Sequence, residues 1–230
     1  MKRPTVLLFD IDGTLLLSGG AGKRAVSRAF GQLLDAPHVL DQHDFRGMTD
    51  LALFRAGISA ARRPFSLELV EQLIESYLVH LEPELRDAEH FRVLPGVRNL
   101  LDELSRRDEV ALGLGTGNVE RGARLKLARG NLEAYFAFGG FGDDAEDRVE
   151  LLRGGAARGA ARLGHDPDDC RVVVIGDSPR DVLASHGIGA TSIGVGTGGH
   201  PTSELLALGA HAAFETLHDP KVLHALLASQ

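Results

Sequence analysis

Six polar side chains stand out because each follows an apolar run. Asp10 and Asp12 end the run Val6-Leu7-Leu8-Phe9, Thr116 and Asn118 follow residues 110–114, and Asp177 and Asp181 follow residues 171–175. An apolar run stopped by a turn signal reads as a strand buried on both faces. In an open parallel sheet the carboxyl ends of the strands share one edge, and ligands bind there. Four carboxylates and a hydroxyl would converge on that edge. Crowded carboxylates repel unless a cation sits among them. Oxygen donors alone, with no His or Cys at ligand spacing, select a hard ion, most simply Mg²⁺. Asp10, Asp12, Asp177 and Asp181 are therefore the candidate metal ligands. A carboxylate, already ionised at neutral pH, can also serve as a nucleophile, and a second one two residues on can move a proton.

The elements that must position these groups follow from periodicity. Strands are predicted at 5–9, 110–114, 135–138, 171–175, 191–195 and 212–214. Between the first two strands, residues 17–92 show helical patterns only: 23–34, 50–61 with Asp50 as N-cap, and a long helix capped by Ser66. Further helices are predicted after Pro95-Gly96, over 119–129 with Gly130 at its end, and over 149–163 despite three glycines. Strands alternating with helices imply a doubly wound parallel sheet. The expected fold is α/β, with a core of residues 1–16 and 93–230 and an inserted all-helical domain over 17–92, joined through the glycine-rich hinge 18–22.

Composition narrows the function classes. The chain has 230 residues and a formal net charge of −7, which disfavours nucleic acid or an anionic membrane surface as a partner. Cys170 is the single cysteine, so no internal disulfide forms and a reducing compartment is expected. No apolar run approaches a membrane span, and the basic start Met1-Lys2-Arg3 is followed by a run cut short at Asp10. A cytoplasmic location is expected, with the protein a monomer or homodimer.

Phe9-Asp10-Ile11-Asp12-Gly13-Thr14 resembles the first motif of the haloacid dehalogenase superfamily in its phosphatase form. Thr116 matches the second motif, and Gly176-Asp177-Ser178-Pro179-Arg180-Asp181 resembles the fourth. The helical block lies where that superfamily's C1-type cap lies, and the whole chain is similar to phosphoglycolate phosphatases in general form. The resemblance implies a Mg²⁺-dependent phosphomonoester hydrolase acting on a small phosphorylated metabolite. Asp10 would attack phosphorus and Asp12 would protonate the leaving group, its backbone carbonyl also meeting the metal. Asp177 would be a side-chain ligand, and Asp181 would orient metal-bound water or hold the third-motif cation. Thr116, Gly117 and Asn118 would grip the phosphate oxygens at a helix N-terminus.

The third motif departs. A lysine is usual there, yet none lies between Lys126 and Lys221. Arg148, just before a predicted helix, is the substitute, with Arg153 further along it; an arginine fork suits phosphate oxygens. In the helical block, Lys23, Arg46 and Thr49 are the candidates for reading the leaving group, whereas His38, His43, His80 and His90 lack metal spacing and are expected at the surface.

Asp12 and Asp177 favour phosphate chemistry over dehalogenation, and Asp12 disfavours a phosphonate hydrolase. A phosphosugar mutase keeps the same core residues. A phospho-accepting receiver domain is half this length and lacks the insert.

Overall fold

The structure, a computed structural model, describes residues 3–41 and 46–228. Met1, Lys2 and the loop histidine His43 lie outside the described residues.

Among the described residues, six strands form one parallel sheet. They are β1 (Thr5–Phe9), β4 (Val110–Gly115), β5 (Gly139–Gly140), β6 (Arg171–Gly176), β7 (Thr191–Val195) and β8 (Ala212–Phe214), in the order β5-β4-β1-β6-β7-β8. β1 is central, pairing in parallel with β4 and β6 from Thr5 to Phe9. Its side chains alternate between two apolar layers. Leu7 and Phe9 join a cluster with α4 (Val97–Leu104), α5 (Glu120–Arg129) and α9 (Lys221–Leu227). Val6 and Leu8 face α6 (Arg148–Leu163) and α7 (Pro179–Gly187). Burial on both faces explains the uninterrupted apolar run, each such side chain contributing about 1.5–3 kcal/mol on leaving water. The glycines of α6 do not break it, because the helix lies close on the sheet: a Cβ on Gly159 would come within 2.4 Å of Val6 and 2.8 Å of Phe138.

Helices α1 (Ala21–Leu34), α2 (Asp50–Ala60) and α3 (Leu67–Arg86) carry a separate apolar core. Phe54 stands at its centre, stacked on Phe30 and edge-on to Tyr77. The N-caps of α2 and α3 are Thr49 and Ser66, whose hydroxyls accept from Ala52 and Leu69.

Several expectations are corrected. Residues 17–92 are not helical throughout: β2 (Leu16–Ser18) and β3 (Phe91–Val93) form an antiparallel ribbon where the helical block leaves and rejoins the sheet. Three-residue strands are too short to display a period. Thr49, not Asp50, caps α2, which frees the Asp50 carboxylate for another bond. Residues 135–138 are not a strand; a 3₁₀ turn (Glu133–Tyr135) precedes the two-residue β5. Gly130 keeps a right-handed φ of −87°, and Asn131, at φ 51°, takes the left-handed position that ends α5. Helix α8 (Thr202–Ala207) completes the described elements between β7 and β8.

Candidate active site

Asp10 is the first residue past β1 and its side chain faces the sheet's carboxyl edge, 5% exposed. Helices α5, α6 and α7 all start at this edge, presenting their positive ends to it. Arg148 opens α6, where Asp147 caps the helix through the Val149 amide. Its Nη2 stands 3.4 Å from Oδ1 of Asp10, bonds Oδ1 of Asp181, and donates to the Gly115 carbonyl at 3.3 Å. Its Nη1 donates to the Gly47 carbonyl at 3.2 Å, and its buried Nε has no acceptor among the described residues. Arg153, the other candidate, pairs with Glu150 on the surface.

Asp177 and Asp181 arrive from the end of β6 and the first turn of α7. Asp181 is locked by a reciprocal capping box: its Oδ2 accepts from the Ser178 amide at 3.0 Å and hydroxyl at 2.7 Å. Both of its oxygens are thus engaged by Ser178 and Arg148. Among the described residues, Asp177 has one bond from a side chain, Thr14 Oγ1 to Oδ1 at 3.0 Å. Among the described residues, Asp10, Asp177 and Asp181 bring carboxylate oxygens within 4.8 Å of one another.

Electrostatics follow from this crowding. Burial, and then the Asp181 and Asp12 charges, push Asp10 up to about 6 against the pull of Arg148. Asp177 is raised well above the usual carboxylate range by burial, Asp10 and Asp181. Two raised carboxylates beside a third are a donor set short of positive charge, and all-oxygen donors at this spacing fit a hard divalent ion. The backbone packs directly against this carboxylate: a Cβ on Gly198 would fall 1.6 Å from Asp177 Oδ2.

Asp12 points elsewhere. Its Oδ2 accepts from Lys126 Nζ at 2.5 Å and from Asn118 Nδ2 at 3.0 Å. Burial raises its pKa, but the Lys126 charge and the bonds from Lys126, Asn118 and Ser18 outweigh burial and lower it. Asn118 also donates to Thr116 Oγ1 at 2.8 Å, so the second-motif residues and Asp12 form one network.

The helical block is tied to this edge. The Asp50 amide donates to the Gly117 carbonyl at 2.7 Å, and the Asp50 carboxylate accepts from the Val119 amide at 2.8 Å. Between block and sheet lies a cavity of about 440 Å³. Asp10, Asp12, Asp177 and Arg148 line its floor; Lys23, Arg46, Gly117, Asn118 and Lys126 also face it. Thr49 stands apart from this lining: its hydroxyl donates to the Glu146 carbonyl at 2.9 Å and accepts from α2 as its cap. Thr116 is fully buried, below the cavity surface.

The profile of the haloacid dehalogenase-like hydrolases matches residues 4–189. The chain belongs to this family. Solved structures resemble it over almost its whole length. A hydrolase from Pseudomonas syringae is 24% identical over 98% of this chain and 100% of its own, at a TM-score of 0.70. A predicted phosphatase from Clostridium acetobutylicum is 21% identical over 99% of both chains, at 0.70. A predicted phosphoglycolate phosphatase from Haemophilus somnus is 16% identical over 95% of this chain and 96% of its own, at 0.67. No curated protein matches the chain. Among the described residues, no helix is long and apolar enough to cross a membrane.

For a haloacid dehalogenase-like hydrolase, the unforeseen member of the site is Lys126. It lies on α5, ten residues past Thr116, and its 4% exposure was not legible in a helix that also carries Arg121, Arg124 and Arg129. The available signal was its helical spacing from Gly122 and Ala123, which places it on the buried face.

Proposed function

We propose that this hydrolase is a Mg²⁺-dependent phosphomonoesterase that works through an aspartyl-phosphate on Asp10. The observation that carries this reading is Asp10 itself: a buried carboxylate open to the cavity, beside the guanidinium of Arg148 and the carboxylates of Asp177 and Asp181. Mg²⁺ would be held by Asp10 and Asp177, with the backbone of Asp12, and when bound supplies the charge neutralisation a phosphoryl group needs beside carboxylates. Asp181, with both oxygens engaged, would act through Arg148.

In the first step an oxygen of Asp10 forms a bond to phosphorus, the bond to the leaving oxygen breaks, and that oxygen takes its proton from Asp12, which enters the step in the protonated form that its pairing with Lys126 makes the minor one. In the second, Asp12 accepts a proton from water, the hydroxide oxygen bonds phosphorus, and the Asp10–phosphorus bond breaks to release phosphate. Arg148 and the amides at the start of α5 hold the phosphoryl oxygens as their charge shifts.

Residues 17–92 act as a cap that excludes water and reads the leaving group. A cavity of about 440 Å³ with Lys23 and Arg46 at its wall suits a small phosphorylated acid. The similarity to a structure named as a phosphoglycolate phosphatase agrees with that size class. The test is a panel of phosphorylated metabolites with Mg²⁺, ranked by kcat/KM, alongside Asp10→Asn. Asp10→Asn with full activity would refute the nucleophile. Conversion of one sugar phosphate to its isomer, without release of phosphate, would move the reading to a phosphosugar mutase.

A further inference from the structure

Lys126 takes no part in the steps above, yet its burial demands an explanation. An ammonium is strongly hydrated, and leaving water costs several kcal/mol unless paired groups compensate. Here the compensation is specific. Nζ donates at 2.5 Å to Asp12 Oδ2 and at 2.5 Å to Asn118 Oδ1. Asn118 turns its amide nitrogen back to the same Asp12 oxygen at 3.0 Å. Lys126, Asn118 and Asp12 therefore close a triangle of hydrogen bonds, with its corners on α5, the β4 loop and the β1 loop.

Groups of the helical block surround the ammonium as well. Asp50 of α2 and Tyr77 of α3 interact electrostatically with the ammonium from the side of the helical block. The α1 backbone is close too, since a Cβ on Gly22 would lie 3.7 Å from Nζ. By contrast the Asp12 side chain is 38% exposed to the cavity. Without the triangle, an aspartate this open would sample several rotamers, and only a fraction would reach a leaving oxygen.

We infer that Lys126 is a positioning residue for Asp12: the ammonium, directly and through Asn118, fixes the one carboxylate orientation from which the proton passes to the leaving oxygen. The inference rests on the phosphatase reading, in which Asp12 is the acid. Its signature is dependence on the leaving group. Nitrophenolate departs readily without a proton, whereas the more basic phenolate needs one.

The experiment compares p-nitrophenyl phosphate and phenyl phosphate, with Mg²⁺, in the wild type, Lys126→Met, Asp12→Asn and the double variant. Lys126→Met should keep KM within about twofold and lose kcat at least about tenfold more on phenyl phosphate than on p-nitrophenyl phosphate, within the ~10²–10⁴-fold range of acid–base catalysis. Asp12→Asn should show the same selectivity, and the double variant should be no slower than Asp12→Asn alone, because both changes remove one function. Lys126→Arg should restore part of the phenyl phosphate rate. Asn118→Ala, which removes one corner of the triangle without stranding a buried charge, repeats the comparison if Lys126→Met does not fold, read only as the ratio of kcat on the two substrates because Asn118 also faces the phosphate. Equal losses on both substrates, additive losses in the double variant, or a rise in KM alone would overturn the inference while leaving the phosphatase reading in place. A wild type that hydrolyses neither substrate would overturn both.

Discussion

The guanidinium of Arg148 lies 3.4 Å from the carboxylate of Asp10 and is held there by Asp181, whose other oxygen is fixed by Ser178. A cation in the third-motif position is thus aimed at the candidate nucleophile by two residues of the fourth motif. Replacing Arg148 by Met should lower kcat about 10²–10³-fold, the usual loss on removing one donor to a developing oxyanion. It should also lower stability by about 3–5 kcal/mol, because two buried carboxylates lose their partner. Lysine should rescue poorly, since one point charge cannot meet Asp10, Asp181 and the Gly47 and Gly115 carbonyls together. Steady-state kinetics with parallel thermal melts check all three outcomes.

Asp10→Asn should separate activity from stability. Hydrolysis of p-nitrophenyl phosphate should fall to background, while the metal-free protein melts at the same or a higher temperature than wild type. The reason is that Asp10 is buried beside Asp177 and Asp181, so its charge is a liability to the empty fold. A clearly lower melting temperature in EDTA would contradict this account.

Metal dependence of stability should grow with pH. Asp10 sits at about 6 in the fold against 3.8 as a free carboxylate. The folded state therefore binds more protons between those values, and stability is lost as pH rises through that window. Asp177, shifted in the same direction, adds to the loss. A divalent ion relieves the repulsion, so the rise in melting temperature on adding Mg²⁺ should be small near pH 4 and reach its full size above pH 6. Differential scanning fluorimetry in EDTA and in Mg²⁺ across that range is the measurement. A constant increment would remove these carboxylates from the metal site.

Gly117→Ala should act on the helical block. A Cβ there would fall 2.1 Å from the Met48 carbonyl oxygen, and backbone on both sides leaves little room to yield. Residues 46–50 should be pushed off the sheet edge, breaking the bond from the Asp50 amide to the Gly117 carbonyl. We expect KM to rise and proteolysis between α1 and α2 to quicken. Limited proteolysis followed by mass spectrometry reads the second effect.

Neutralising Lys23 or Arg46 should weaken any preference for phosphorylated acids over neutral phosphate esters, with little change in the rate on p-nitrophenyl phosphate. An unchanged substrate ranking in both variants would take these residues out of the specificity argument.

Much of this was already legible in the residues. The apolar run before Asp10, the acids at 177 and 181 and the helical stretch after Thr14 specify a parallel sheet with a shared acidic edge, because burial on two faces and helical period are local properties of sequence. Arg148 could be selected because charge and position at a helix start are also local. The ribbon of β2 and β3 was not, since three-residue strands exist only through their partner. Nor was the fate of Thr49 and Asp50 at the start of α2, which depends on their meeting Glu146 and Val119, 97 and 69 positions away.

Lys126 marks the boundary most clearly. By itself the sequence determined the buried strands β1, β4, β6 and β7, the longer helices between them, the carboxylates at the sheet edge and the family motifs, since those follow from short-range pattern and residue type. Only the tertiary structure decided that one lysine on a cationic helix is buried against Asp12, because an ammonium is drawn inside by partners from distant parts of the chain, and that convergence is not a property of any one segment.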